Sequence, residues 1–316
     1  MRQPHSGYPV GLVTDQPRSA AARASHLADR TPAWSLAVLA MTLIQIGAAL
    51  STGLFEVVGP SGTAWLRLCA GAVIFLALRR PRLRGRSRGE LLGVLSLGTI
   101  SGLMTLAFLE ALARIPLGTT VAIEFLGPLA VAVIGARSVS SLAWPILAFA
   151  GVLALTEPWT GAVDPVGIAL AVAAGIGWGA YILLTARVGD AFEGLEGLSV
   201  TIPVAAVVAT LIAGPGAARL VTPTAVAAAF GLALLMPVIP YSLELLALRR
   251  LTTSAFGTLM ALEPAIAMLM GVIILAQVPK PLEVGGVALV VVAGMGATRG
   301  GHRQRVALDA AIPLLD

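Results

Sequence analysis

Ten runs of mostly apolar residues dominate this 316-residue chain, at roughly 34–55, 63–78, 91–110, 117–135, 142–157, 164–186, 198–213, 225–247, 253–275 and 282–298. Most are about 17–25 residues long, the length a helix needs to cross a hydrocarbon core of ~30 Å. Such runs leave few folds open. Lipid cannot satisfy free backbone N–H and C=O groups, so a spanning segment must be a helix or part of a closed barrel. A barrel strand alternates apolar and polar residues, and no such alternation is visible. The expectation is an all-α polytopic membrane protein with ten transmembrane helices. Charged residues make up 12% of the chain, about half the ~25% of a soluble domain.

The net charge of +5 does not point to nucleic acid, because the cations sit in short loops and tails. With the N-terminus inside, the cytoplasmic loops hold Arg79, Arg80, Arg82, Arg84, Arg86, Arg88, Arg137, Arg187, Arg249 and Arg250. The opposite side holds Arg114, Arg219 and Lys280. That bias favours an even number of spans with both termini cytoplasmic. Residues 1–33 read as a disordered cytoplasmic tail without the apolar core of a signal peptide. Residues 299–316 form a second cytoplasmic tail. The one cysteine, Cys69, excludes an intramolecular disulfide, and His5, His26 and His302 all lie in the tails. Histidine is thereby removed from any chemistry within the membrane. No HExxH motif is present either, so an intramembrane enzyme is not expected.

The chain repeats itself. Placing Pro128 over Pro264 also puts Ile115 over Leu251 and Gly135 over Gly271. The two halves, 34–157 and 164–298, then carry five spans each. Because five is odd, the second copy enters the membrane upside down. Inverted repeats are a recurring plan of secondary transporters, with the substrate site near midplane between the halves. Gly98-xxx-Gly102 and Gly175-x-Gly177-x-Gly179 read as close helix contacts.

Glu124 lies near the centre of the fourth run and Glu263 near the centre of the ninth. A carboxylate there costs at least ~2.5 kcal/mol on insertion scales, so it should face a cavity or a partner. Pro128 cannot donate to the Glu124 carbonyl, and Pro264 likewise frees that of Met260, the position aligned with Glu124. Each half thus offers an anionic, acceptor-rich patch suited to an ammonium group or a proton. Arg67, in the second run, has three open roles: holding a substrate carboxylate, neutralising a glutamate, or snorkelling to the outer interface. Gln45, Trp178 and Tyr181 are polar or amphipathic groups at depth that could line a pathway. Tyr241 and Glu244, next to Pro240, could belong to an inner gate, although a tyrosine there also suits interface anchoring. Glu110 and Arg114 have the i, i+4 spacing of a local ion pair, and Glu56 should be wet.

Three stretches carry a family resemblance: IPLGTTVAIEFLGPLAVA (115–132), WGAYILL (178–184) and PYSLELLALRRLTTSAFGTLMALEPA (240–265). On these the chain resembles the drug/metabolite transporter superfamily, the EamA-type ten-helix carriers, and within it the subgroup that exports small amino acids. The likeness covers residues 34–298. It implies a five-plus-five inverted repeat in the bacterial cytoplasmic (inner) membrane and proton-linked efflux by alternating access. It also implies a cavity lined by both halves, with Glu124 and Glu263 foremost and Tyr241 and Glu244 behind them. One departure stands out: the family commonly ends its ninth span with Gly-Glu, where this chain has Ala276-Gln277.

The expected partners are a small neutral amino acid (threonine- or homoserine-like), protons and the bilayer. No nucleic acid, metal or organic cofactor is expected, and the oligomeric state is left open. The alternative keeps the fold and changes the cargo to a drug or other metabolite, with Met260, Met268 and Met270 forming a greasier surface. A channel would conduct without saturation.

Overall fold

The computed structural model describes residues 32–79, 81, 85–136, 142–157, 160, 164–188, 195–248, 250, 251 and 253–311. The expectations for the tail up to residue 31, with His5 and His26, lie outside these residues. So do those for Arg80, Arg82, Arg84, Arg137, Arg249 and the last five residues of the C-terminal tail. Among the described residues there is no strand.

The helices are α1 (Ala33–Ser51), α2 (Phe55–Leu78), α3 (Arg88–Leu112), α4 (Leu117–Glu124), α5 (Leu126–Ala136), α6 (Ala143–Thr156), α7 (Pro165–Val188), α8 (Leu195–Ala217), α9 (Pro223–Ala233), α10 (Ile239–Leu248), α11 (Thr253–Met260), α12 (Glu263–Leu275) and α13 (Pro281–Ala311). Among the described residues, seven segments are long and apolar enough to cross a membrane. One of these, Ala33–Leu78, has 46 residues, or roughly 69 Å at 1.5 Å per residue, more than twice a ~30 Å core. It is interrupted by the 3₁₀ turn Thr52–Leu54 and again at Gly59, whose φ of 74° only glycine adopts without strain. Two shorter apolar helices, Ala143–Thr156 and Pro281–Ala297, follow the same composition. α13 runs on to Ala311, beyond the apolar stretch at 282–298, so the start of the expected tail is helical.

Local chemistry sets several helix starts. Ser87 and Glu90 form a reciprocal capping box at α3. The run Gly85-Arg86-Ser87-Arg88-Gly89 has the Gly-x-Ser-x-Gly spacing of a nucleophile elbow. Ser87 instead serves as this exposed cap. Asp164 caps α7 ahead of Pro165 through the N–H groups of Val166 and Gly167, and Thr222 caps α9 ahead of Pro223.

The two Pro-containing spans are broken at equivalent positions. α4 ends at Glu124 and α5 begins after Phe125; α11 ends at Met260 and α12 begins after Ala261 and Leu262. In each case a proline follows four residues after the last helical carbonyl and cannot bond it. The eighth run is also interrupted, at Leu234–Val238, where Met236 leaves the helical conformation.

α3 packs along α7 and α8, α2 along α8, α6 along α13, α1 along α10, and α4 against α7 and α12. Alanine and glycine fill many of these contacts, as expected where backbones approach closely in lipid. Large apolar side chains such as Leu95, Ile134, Phe149, Ile176, Leu211 and Ile273 point outward and remain exposed. A soluble monomer does not carry such a surface; a hydrocarbon surround accounts for it.

The glycine pattern acquires specific partners. Gly98 and Gly102 sit against Val204 and Ala205 of α8. Gly175 packs on the backbone of Glu124, and a Cβ at Gly127 would overlap the carbonyl oxygen of Gly175. Gly127→Ala is therefore expected to destabilise the fold by at least the ~3 kcal/mol upper end of ordinary overpacking. Gly231→Ala, with open space around it, serves as control. Thermal melting of the two purified variants decides this; equal midpoints would show that α5 and α7 do not touch as described.

Candidate functional site

Several polar groups of the interior gather near the two helix breaks. Glu263 is the first residue of α12, and Gln45 reaches it from α1, its Nε2 donating to Oε1 at 3.1 Å. Both side chains are buried, at 1% and 4% exposure for Gln45 and Glu263. The second glutamate oxygen, Oε2, and the glutamine Oε1 are also buried and have no hydrogen-bond partner. Arg67, on α2, is 3% exposed and donates to Ser51 Oγ at 3.3 Å. Ser51 Oγ in turn donates to the Gly47 carbonyl at 2.7 Å. Arg67 is thus held inside the bundle, which removes the snorkelling option. Glu124 and Tyr241 lie within electrostatic reach of it, and Glu124 and Glu244 within reach of Glu263.

Tyr181 and Tyr241 lie within electrostatic reach of one another, Tyr181 also bonding Thr185. Trp178 stacks edge-to-face on Phe125, centroids 6.3 Å apart, and so lines the break after Glu124. Pro128 and Pro264 sit just beyond the two breaks. Gln45, Arg67, Glu124, Trp178, Tyr181, Tyr241, Glu244 and Glu263, with Pro128 and Pro264, therefore fall in or beside one region. Met268 and Met270 belong to packing clusters, whereas Met260 is half-buried at its break.

Burial is uneven across this region. Gln45, Arg67 and Glu263 are buried; Glu124, Tyr181, Tyr241 and Glu244 are half-buried. Half-buried Tyr181 lies toward the C-terminal end of α7, and half-buried Tyr241 and Glu244 lie within α10. At the opposite ends of these spans the halves are tied by polar contacts. Arg114 pairs with Glu110 at 3.7 Å, as the spacing predicts, and with Asp164 at 3.5 Å. Lys280 pairs with Glu157 at 3.3 Å. Glu110 also accepts from Ser61 N and Oγ, securing the restart of α2. Glu56 is exposed, as expected. The Val166 N–H, then that of Gly167 and the Arg114 guanidinium, hold the Asp164 carboxyl below the usual aspartate range. With its pKa depressed, Asp164 contributes in full above about pH 4 and loses that contribution only as pH falls further.

Gln277 belongs to the same end. Its Oε1 accepts from the N–H of Leu117, the first residue of α4, at 3.1 Å. Ala276 adopts φ 52° as it closes α12, the left-handed region that favours glycine. The Ala276-Gln277 departure thus keeps a side-chain oxygen where one is needed and places alanine where glycine would fit better. Gln277→Leu is expected to lower stability by ~1 kcal/mol through the lost cap, while Gln277→Glu retains it. Thermal melts of both would check this, and equal losses would show the cap to be immaterial.

Two contributors escape sequence reasoning. Ser51 looks like the polar end of an apolar run, and Gln277 lies in a loop 160 residues from the helix it caps.

Through Glu124 the arrangement links a buried cation to a buried carboxylate–amide pair and a further carboxylate, Glu244. It can hold a small zwitterion or a proton, and it contains no group of three or more metal-ligating side chains among the described residues. Comparison with known proteins agrees with transport. Residues 165–298, from α7 into α13, match the EamA-like transporter family. The chain is 35% identical over 279 residues to the threonine/homoserine exporter RhtA of Escherichia coli K12, covering 85% of this chain and 93% of that protein. It is also 35% identical over 284 residues to RhtA of Salmonella typhimurium LT2, with the same coverage. A solved crystal structure superposes with a TM-score of 0.55 at 17% identity, covering 84% of this chain and 96% of the other; that likeness shows the fold alone.

Proposed function

The chain belongs to the EamA-like transporter family, and from that premise we propose that it exports small neutral amino acids of the threonine/homoserine type. Family membership makes it a multi-pass membrane transporter and not an enzyme. The observation that carries the finer reading is a buried Arg67 and a buried Gln45–Glu263 pair that both lie within electrostatic reach of Glu124. A zwitterionic amino acid needs both: a guanidinium for its carboxylate and a carboxylate for its ammonium. The similarity to the RhtA exporters supports the same cargo. In a host sensitised to threonine and homoserine, expression should restore growth and lower the internal amino-acid pool. Protection against hydrophobic cations instead would favour the drug or metabolite alternative.

The mechanism we propose is alternating access, driven by proton entry, in the bacterial cytoplasmic membrane. Ten spans form two inverted five-helix repeats, 34–157 and 164–298, with both termini in the cytoplasm. Support comes from the matched breaks after Glu124 and Met260 and from a family match that starts at α7. The ends tied by Arg114–Asp164, Lys280–Glu157 and Gln277–Leu117 are then the outer side, and the half-buried Tyr181, Tyr241 and Glu244 face the cytoplasm.

Topology is testable in a Cys69→Ala background. A cysteine at Ser87 should react only with reagent supplied from the cytoplasm, and one at Ala218 only from outside. Both sites are exposed. Labelling of both from one side would refute the ten-span arrangement.

A further inference from the structure

Two buried oxygens of the cluster lack the same thing. The Gln45 amide spends its Nε2 on Glu263 Oε1, which leaves Gln45 Oε1 and Glu263 Oε2 buried without a hydrogen-bond partner. A buried acceptor left unmade costs about 1–3 kcal/mol, and here two stand on adjoining side chains of α1 and α12. Both are acceptors, so what completes them is a donor.

The surroundings narrow the donor. The ionisable groups within reach of Glu263 are Glu124 on α4 and Glu244 on α10, both carboxylic. α1 contributes Gln45 and no ionisable side chain, and on α13 the described acidic group, Glu283, sits in its first turn beside Lys280. Among the described residues the buried cation is Arg67, which interacts with Glu124 and Tyr241. Among the described residues no cation reaches Glu263, which leaves a positive charge to be supplied from outside the protein.

Two donors fit. A proton bound to Oε2 makes an O–H that Gln45 Oε1 can accept, pairing carboxylic acid and amide through two hydrogen bonds. A primary ammonium offers three N–H donors and can serve both oxygens at once. They exclude one another: the proton removes the charge that attracts the ammonium and occupies the amide oxygen it would use.

We infer that Gln45 and Glu263 form one seat for a single donor, a proton or the primary ammonium group of the cargo, and that exchange at this seat couples the two fluxes. Gln45 is the positioning residue, holding the carboxylate and supplying the second acceptor. This rests on the reading that the cargo is a small amino acid.

The test is threonine binding to the purified wild-type protein in weakly buffered solution, followed by calorimetry and a pH-indicator dye. On the acid side of its titration the seat should release about one proton per threonine bound, and the apparent Kd should rise tenfold for each unit of falling pH. On the alkaline side no proton should appear. Glu263→Gln should release none at any pH. Gln45→Leu should weaken binding by at least about tenfold and move the pH midpoint of proton release. A merely structural glutamine would lower the yield of folded protein and leave that midpoint in place. Threonine binding by wild type without proton release, at every pH at which the protein stays folded, would overturn the shared seat and leave the export reading intact. If neither threonine nor homoserine binds, the probe becomes a hydrophobic primary amine. Proton displacement by that amine would keep the seat and sink the amino-acid reading; no displacement would sink the seat as well. The wild-type measurements need no variant to fold.

Discussion

Arg67→Met should abolish threonine transport and destabilise the protein together. The guanidinium is 3% exposed and is the buried cation within reach of Glu124 and Tyr241. Methionine matches much of its volume, so the loss is of charge and hydrogen bonding. Removing one member of a buried charged group strands the others, at roughly 3–5 kcal/mol. The double variant Arg67→Met with Glu124→Gln should therefore recover much of the stability and none of the transport. Arg67→Lys keeps the charge and loses the planar fork that grips a carboxylate at two points. It should transport with a KM raised about 10–100-fold, a loss of ~1.5–3 kcal/mol. Melting curves and uptake rates of the four proteins decide the matter. Wild-type KM in Arg67→Met would remove Arg67 from the binding site.

Glu263→Gln should give the opposite sign on stability. Its carboxylate is buried, its Oε2 has no partner, and no cation of the described protein faces it. A neutral amide of the same shape relieves that burial, so the variant should melt at or above the wild-type temperature. Transport should nevertheless fall by about 10–100-fold or more, because a hydrogen bond to a charged group is worth ~1.5–3 kcal/mol. A protein that becomes more stable as it loses function marks a group kept for its chemistry. If only gradient-driven transport fails while exchange survives, Glu263 is the coupling group. If Glu263→Gln both melts lower and transports normally, the carboxylate is a structural member of the α1–α12 contact.

The all-helical, membrane-spanning character is legible because lipid imposes length and apolarity on the segments that cross it. The two breaks are legible for a local reason: Pro128 and Pro264 each deprive a carbonyl four residues earlier. The Glu110–Arg114 pair follows from helical spacing alone. What no period encodes is the meeting of distant elements. Gln45 and Glu263 are 218 residues apart, and nothing in either run marks the other as its partner. Arg67 keeps three roles open on sequence, and burial beside Ser51 closes one of them. Asp164 joins Arg114 only because α7 starts beside the end of α3. The interruption at Leu234–Val238 sits at Pro237, a signal visible in the chain that the repeat, with no matching proline, gives no reason to weigh. The continuation of α13 into a polar stretch has no apolar pattern to announce it.

The account turns on one claim, that the buried cluster between the halves binds a small amino acid and passes it across the membrane. Counterflow of radiolabelled threonine in proteoliposomes tests it most directly. Vesicles loaded with unlabelled threonine, without a pH gradient, should accumulate label with saturable kinetics, homoserine should compete, and Arg67→Met should show none. Accumulation no greater than in protein-free liposomes, or uptake that rises linearly without saturating, would contradict it.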